Sequence, residues 1–323
     1  RFRELQLEFG PGVTILSGEN AHGKTTLLES IYLLAIARSF RARNEREMVN
    51  WDSIECQEPA LIDATLLEGT DRHRVIIGYS PVQTSRLSPS IGEDYSNLIR
   101  KEIRVDGVRR TASDLIGLFN VVLFSADDIG LVQGPPAPRR KYLDILISQA
   151  DPKYMRTLQR YQKVLQQRNQ LLKLLAENRA KESELEFWDE ELVREGSQIT
   201  DHRSQSMDSI AELARIQHLE LTGELETLEL IYQPNVSTTE ANSNSSQDNF
   251  RILLQSSRHR ELALKTTIIG PHRDDFKLLV NGADMNRFSS RGQARTLTLT
   301  LRLSEAEYLS RMRVGPVVLL DDV

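Results

Sequence analysis

The chain has 323 residues, a net charge of −5, 39% apolar and 6% aromatic residues, and a single cysteine, Cys56. That length admits one large domain or two ordinary ones, and no apolar run approaches the roughly 20 residues that span a bilayer, so no membrane partner is expected. One cysteine excludes an internal disulfide framework and suggests a reducing, cytoplasmic setting, while the acidic balance excludes a uniformly basic nucleic-acid binder and leaves room for a local basic face. The chain begins at Arg1 and stops inside "VVLLDDV", which suggests a piece of a longer protein.

In chain order, "FRELQLEF" and "GVTILSG" have the β-branched and alternating texture of strands. The second leads into "GENAHGKT", Gly18 to Thr25, which fits G-x-x-x-x-G-K-[ST]. In that loop backbone N–H groups wrap phosphates, the lysine reaches the outer two and the last hydroxyl ligates Mg²⁺. Thr25 through Ala35 follows as a helix with Leu27, Leu28, Ile31 and Leu34 on one side, and its N-terminal N–H groups face the phosphates. The residues expected to hold nucleotide here are Gly18, Glu19, Asn20, Ala21, His22, Gly23, Lys24, Thr25 and Thr26, with Lys24 also assisting catalysis and Thr25 on the metal. His22 is better explained as a variable loop position than as an acid or base.

Arg38, Arg41, Arg43 and Arg46 follow as a basic cluster, suited either to DNA phosphates or to a solvated surface. "ALIDATLLEG" and "DRHRVIIGYS" form a candidate antiparallel pair, and "KEIRVDGVRR" a further strand and turn. "SPVQTSRLSPSIGEDYSN" is a Ser- and Pro-rich exposed loop. Arg139, Arg140 and Lys141 make a second basic group with the same two readings.

Between Pro152 and Pro234 no proline intervenes and long charged helices are expected. Tyr154, Leu158, Tyr161, Leu165, Leu172 and Leu175 mark a helix–helix seam that Arg168 interrupts. Leu185, Trp188, Leu192 and Ile199 suggest a second helix, and Met207, Ile210 and Ala214 a third. "QPNVSTTEANSNSSQDN" is a solvated or disordered connector.

Strand character returns in "TTIIGPHRDDFKLLVNGADM", where Asn281-Gly282 signals a tight turn. Within it His272 and Arg273 belong either near a nucleotide or a dimer interface, or to a buried turn with an Arg–Asp pair. "SSRGQ", Ser289 to Gln293, is by itself a polar turn, and "TLTLTLRL", Thr296 to Leu303, alternates like a half-buried strand although its leucines also form i,i+4 pairs. "VVLL" before Asp321 and Asp322 suggests a strand buried on both faces. Asp321 would hold Mg²⁺ opposite Thr25, and Asp322 would orient or deprotonate the attacking water.

The order phosphate loop, helical insertion, S-x-G-Q, apolar strand and paired acids resembles ABC-type ATPase heads, including those of SMC proteins. Ser290, Gly292 and Gln293 match the signature, and Arg291 stands where transporters usually carry glycine. The resemblance implies that the signature contacts the γ-phosphate of a nucleotide held by a partner protomer, that a helix follows it despite the alternating pattern, and that a D-loop and switch histidine lie beyond Val323. Within that superfamily the chain is similar to the RecF family of bacterial recombination mediators over nearly its whole length. "GENAHGKTTLLESIYLLAIARSFR", "VVLFSADDIGLVQGPPAPRRKYLD", "GPHRDDFKLLVNG", "SRGQARTLTLTLRLSEAEYL" and "VLLDDV" carry the similarity.

The fold so implied is α/β, a P-loop NTPase of ABC/SMC head type with an inserted helical arm. Residues 1–133 and 264–323 would form the head, and 134–263 the arm with a flexible connector near 234–249. The implied activity is a weak ATPase used as a switch, with ATP and Mg²⁺, an ATP-dependent homodimer, duplex DNA and ssDNA/dsDNA junctions as targets, and RecR, RecO and RecA as partners. Two departures stand out. Ala21 replaces a common glycine, and Ala126 falls near the expected Q-loop glutamine, with Asp127 and Asp128 as substitutes and Gln133 a weaker one. The competing readings are a small SMC-like head, which the short arm disfavours, a non-hydrolysing DNA-binding scaffold, and a small-substrate kinase.

Overall fold

The computed structural model describes residues 2–50, 53, 54, 56, 58–68, 70–81, 99–236, 245–312 and 315–321. They fall into two compact units, one of residues 1–123 with 319–321 and one of residues 124–318.

In the first unit α1 (Lys24–Ile36) starts at Gly23, whose φ of 96° places it in the left-handed region that glycine adopts most readily. Four antiparallel strands follow, β1 (Ala60–Glu68), β2 (Asp71–Pro81), β3 (Ile99–Val105) and β4 (Val108–Arg110), laddered in that order. The expected β1–β2 pair and the strand and turn after it are present, with Asp106 and Gly107 at positive φ in the turn. Period-two alternation puts Val75, Ile77, Tyr79 and Ile103 on one face, where they pack with Leu33 and Leu34 of α1 and with Leu115. β5 (Val121–Ser125), buried throughout its apolar run, pairs with β9 (Val317–Asp321).

Two strand expectations are corrected here. Residues 2–17 form no strand among the described residues, and Val13 and Ile15 are 91% and 85% exposed. Alternation fixes which side chains share a face, but a strand exists only where a neighbour supplies its ladder. β9 is a strand, yet only Leu319 is buried, while Val317, Val318 and Leu320 are exposed. One laddered neighbour covers less of it than the expected burial on both faces.

The second unit contains α2 (Pro136–Ala150), α3 (Pro152–Ala176), α4 (Leu185–Leu221), β6 (Leu228–Gln233), α5 (Ser246–Leu264), β7 (Asp275–Val280), β8 (Ala283–Asp284) and α6 (Arg291–Met312). The two helices anticipated from Leu185 to Ala214 are one continuous α4 of 37 residues. Its internal Gly196 does not break it, because the position is held by close packing: a Cβ there would lie 2.6 Å from the Phe250 ring and 3.1 Å from that of Tyr161. Residues 237–244 of the expected connector lie outside the described residues, and α5 begins directly after, capped by Ser245, whose Oγ accepts from the Asp248 N–H. β6, β7 and β8 form an antiparallel sheet whose last turn uses Asn281 and Gly282, both at positive φ as a two-residue hairpin turn requires.

Arg168, expected to interrupt the α3 seam, is buried within it. Its guanidinium donates to Asp189 at 2.7 Å, to Glu261 at 2.7 Å and to the Thr267 hydroxyl at 2.7 Å. A cation at a core position survives because every face of it meets an acceptor.

α6 resolves the conflict over "TLTLTLRL" in favour of helix. Leu297 and Leu301 are buried one turn apart. The hydroxyls between and beside them bond back along the helix, Thr296 to Gly292 O, Thr298 to Ala294 O, Thr300 to Thr296 O and Ser304 to Thr300 O, at 2.7–3.3 Å. Polar positions that would face water in a strand are thus satisfied within the helix. Among the described residues no helix is long and apolar enough to cross a membrane.

Candidate functional site

In the first unit, the loop Gly18–Gly23, exposed from Gly18 to His22 and buried at Gly23, delivers the chain into α1. The start of α1 has no side-chain cap and no acid in its first turn, so its leading N–H groups and positive dipole end are open to an anion. Lys24 Nζ donates to the carbonyls of Gly18 at 2.8 Å and Glu19 at 2.9 Å, folding its charge over the loop. His22 lies 3.6 Å from Glu19, both exposed, and Asn20 and Thr26 complete the segment. Ala21 has φ of 68°, a left-handed conformation that strains a Cβ-bearing residue.

The first turn of α1 also reaches the end of β9, where Thr25 Oγ1 donates to Asp321 Oδ1 at 2.9 Å across 296 residues of sequence. Asp322 lies outside the described residues. Sequence reading missed Glu29, buried on α1, which accepts from Ser39 and, at 3.2 Å, from Arg41. Arg41 is thereby tied to the helix, while Arg38, Arg43 and Arg46 remain exposed.

In the second unit Ser290, Gly292 and Gln293 form the N-terminus of α6. Ser290 Oγ accepts from the Gln293 N–H at 3.2 Å and Gln293 Oε1 accepts from the Ser290 N–H at 3.1 Å, a reciprocal capping box. The signature spacing is thus also a helix-start spacing, which explains why Ser and Gln occur three residues apart. Gln293 Nε2 reaches Glu226 at 3.5 Å, and Glu226 meets the buried His218, whose other nitrogen faces Thr300 at 3.1 Å. Glu226 and His218 carried no recognisable sequence signal, since they meet α6 only through the fold.

The segment expected to act as Q-loop packs on the same helix. Asp128 is buried, accepts from the Ser125 N–H at 2.8 Å and pairs with Arg302 at 2.6 Å. Burial opposes the charge on Arg302, but Glu305 and Asp128 outweigh it and hold the guanidinium above its ordinary range. Asp127 is exposed, as is Ala126. Gln133 donates to the carbonyl and hydroxyl of Ser289 at 3.0 and 3.2 Å.

"GPHRDDF" is a largely buried structural turn in which Arg273 is exposed. Asp274 accepts from Arg203 at 2.9 Å, from the Tyr232 hydroxyl and from the Asn235 N–H, and Asp275 accepts both arms of Arg139 at 2.6 and 2.9 Å. Arg139, read as part of a basic surface, is therefore buried and paired, and Arg140 donates to the Asp274 carbonyl, which leaves Lys141 exposed. His272 Nε2 donates to the Thr267 carbonyl and Nδ1 accepts from Tyr161. Burial, reinforced by the fields of Arg273, Arg140 and Arg168, lowers its pKa from 6.5 to about 4, so it is neutral at pH 7. No group of three or more His, Cys, Asp or Glu residues suited to holding a metal occurs among the described residues.

A family model described as "AAA domain" matches residues 1–233. The DNA replication and repair protein RecF of Chloroflexus aurantiacus is 39% identical over the whole of this chain, which covers 83% of that protein, and RecF of Roseiflexus castenholzii is 38% identical with the same coverage. The chain belongs to the RecF family. Two solved structures of the recombination mediator protein RecF, titled as RecF-ATP and RecF-ATPrS, superpose with a TM-score of 0.86 at 34% identity. Each covers 98% of this chain, and the chain covers 80% and 81% of theirs. The fold is accordingly that of RecF, and the protein is a RecF-family DNA replication and repair protein.

Proposed function

We propose that this protein binds ATP with Mg²⁺ at the Gly18–Thr25 loop and that ATP draws two copies together into a clamp on DNA, which hydrolysis then releases. The observation that carries the reading is the Thr25–Asp321 contact. Two oxygens 2.9 Å apart at the foot of an uncapped helix match neighbouring corners of an octahedron whose metal–oxygen distances are about 2.1 Å. These two side chains would hold Mg²⁺, whose chemistry is to neutralise charge on the β- and γ-phosphate oxygens. Lys24 exchanges the Gly18 and Glu19 carbonyls for phosphate oxygens, and the α1 N–H groups orient the phosphate chain. That a relative 34% identical was solved as RecF-ATP supports the same ligand here.

Ser290 and Gly292, at the exposed start of α6, contact the γ-phosphate held by the second copy, with Gln293 holding the cap in shape. Asp322, following the metal-binding Asp321, orients the attacking water. Turnover is slow, because the ATP-bound assembly is the working state and hydrolysis resets it. The clamp acts in the cytoplasm on duplex DNA at gaps and ssDNA/dsDNA junctions, with RecR and RecO, to help load RecA; membership of the RecF family supports this assignment.

The test is the molar mass of the complete protein by light scattering with ATP, with ADP and without nucleotide, for wild type and Ser290→Arg. The expected result is a dimer with ATP alone that Ser290→Arg abolishes while ATP binding persists. A mass indifferent to ATP, or to Ser290→Arg, refutes the sandwich.

A further inference from the structure

The four-stranded sheet of the first unit buries one face against α1 and turns the other to solvent. The solvent face is rich in arginine: Arg72 and Arg74 on β2, Arg100 and Arg104 on β3, Arg109 on β4, all exposed. The register places Arg104 directly opposite Arg109 on this face, a like-charge pair that works against the ladder. Its acids are fewer. Asp63 is spent on Arg74, in a two-pronged pair at 3.0 and 2.5 Å. Glu102 accepts from Arg104 at 2.7 Å, and its carboxyl is held below the usual range first by that bond and then by the fields of Arg104, Arg109 and Arg100.

Three guanidiniums around one carboxylate leave a positive field on a protein whose net charge is −5. The outer face of an antiparallel sheet needs only polar side chains to face water, so fold stability does not call for this cluster. The face carries no aromatic side chain at its outward positions among the described residues, unlike the aromatic-centred core of a protein–protein interface. Guanidinium forks match phosphate oxygens in pairs, and a flat rigid sheet presents several at once.

We propose that this face, centred on Arg100, Arg104 and Arg109 around Glu102, is the surface on which the sugar–phosphate backbone of duplex DNA docks. The proposal rests on the DNA-binding reading above and gives it a location. It also assigns Glu102 a role: a carboxylate inside the cationic patch offsets part of its charge and weakens the grip.

Anisotropy of a fluorescein-labelled duplex, titrated with the full-length protein and ATP over a series of KCl concentrations, tests it. The triple variant Arg100→Ala, Arg104→Ala, Arg109→Ala is expected to bind at least about tenfold more weakly and to reduce the log–log salt slope by about 2 to 3, at roughly 0.9 for each phosphate no longer neutralised. Glu102→Gln alone is expected to bind about threefold more tightly, a gain that no folding defect can produce. If wild type binds the duplex while the triple variant keeps its affinity and slope, the location is wrong and the DNA reading stands. If wild type shows no salt-dependent binding, both fail. If polyglutamate displaces the duplex as well as unlabelled duplex does, the face serves an acidic protein and the proposal is overturned.

Discussion

The phosphate loop and the "GPHRDDF" turn are both dense in charged and hydrogen-bonding groups, yet the fold treats them in opposite ways. Both carboxylates of the turn are spent on arginines: Arg203 donates to Asp144, to Asp274 and to the Pro271 carbonyl, and Arg139 to Asp275 and two carbonyls. In the loop an exposed ammonium leans on two backbone carbonyls, and a helix start has no side-chain cap. The difference teaches how to tell a binding site from a structural cluster that looks like one. What separates them is the number of partners the protein itself supplies, not the number of charges.

Substitutions can break this comparison at either end. The largest effect is expected at Arg203→Met, which strands Asp144 and Asp274 and should cost about 3–5 kcal/mol in urea unfolding. A loss below about 1 kcal/mol would mean that the cluster is less committed than its geometry indicates.

Next comes His272. Its folded pKa of about 4 lies below the unfolded 6.5, so the unfolded chain binds the extra proton first and stability falls as pH drops from about 6.5 towards 4. The drop attributable to this group is on the order of 3 kcal/mol at the bottom of that window. His272→Gln should flatten the pH profile there, as read by denaturant midpoints at pH 7, 6, 5 and 4.

At the loop the expected loss is of ligand and not of fold. Asp321→Asn still accepts the Thr25 hydroxyl, so nucleotide-free stability should change by less than about 1 kcal/mol. Calorimetric titration with Mg²⁺ and ATP should show affinity lower by about tenfold to a hundredfold, since the proposed Mg²⁺ site would lose the carboxylate charge of Asp321. Equal affinity would remove Asp321 from the site.

The smallest effect is expected at Ala21→Gly, which relieves a left-handed alanine and should raise stability by up to about 1 kcal/mol. Thermal melting without nucleotide would detect it, and a fall in stability would mean that the freedom glycine adds to the unfolded chain outweighs the strain removed.

Much of this was legible in the chain. The β1–β2 pair, the Asn281-Gly282 turn, the long helices after Pro152 and the start of α1 follow from period, turn chemistry and glycine placement. α6 was not legible from period alone, because threonine hydroxyls that bond back to the preceding turn let an alternating sequence be helical. Arg168 and Arg139 misled because a charged residue is usually solvated, and only the fold brings Glu261 or Asp275 to meet them. The union of Thr25 with Asp321 was anticipated from motif order, whereas the outward arginines of β2, β3 and β4 are scattered in sequence and gather only when the strands are laddered.

α4 has a mechanical consequence. At 1.5 Å per residue, its 37 unbroken residues make a rod about 55 Å long. Arg203 locks the rod by ion pairs to Asp144 on α2 and to Asp274 before β7. A rod has no joint at which to dissipate a rotation, so with its midpoint at Arg203 held fixed a turn of about five degrees would move each end by about 2.4 Å, in opposite directions. Small rearrangements where α4 packs against α6 would therefore be passed undiminished to the opposite end of the rod.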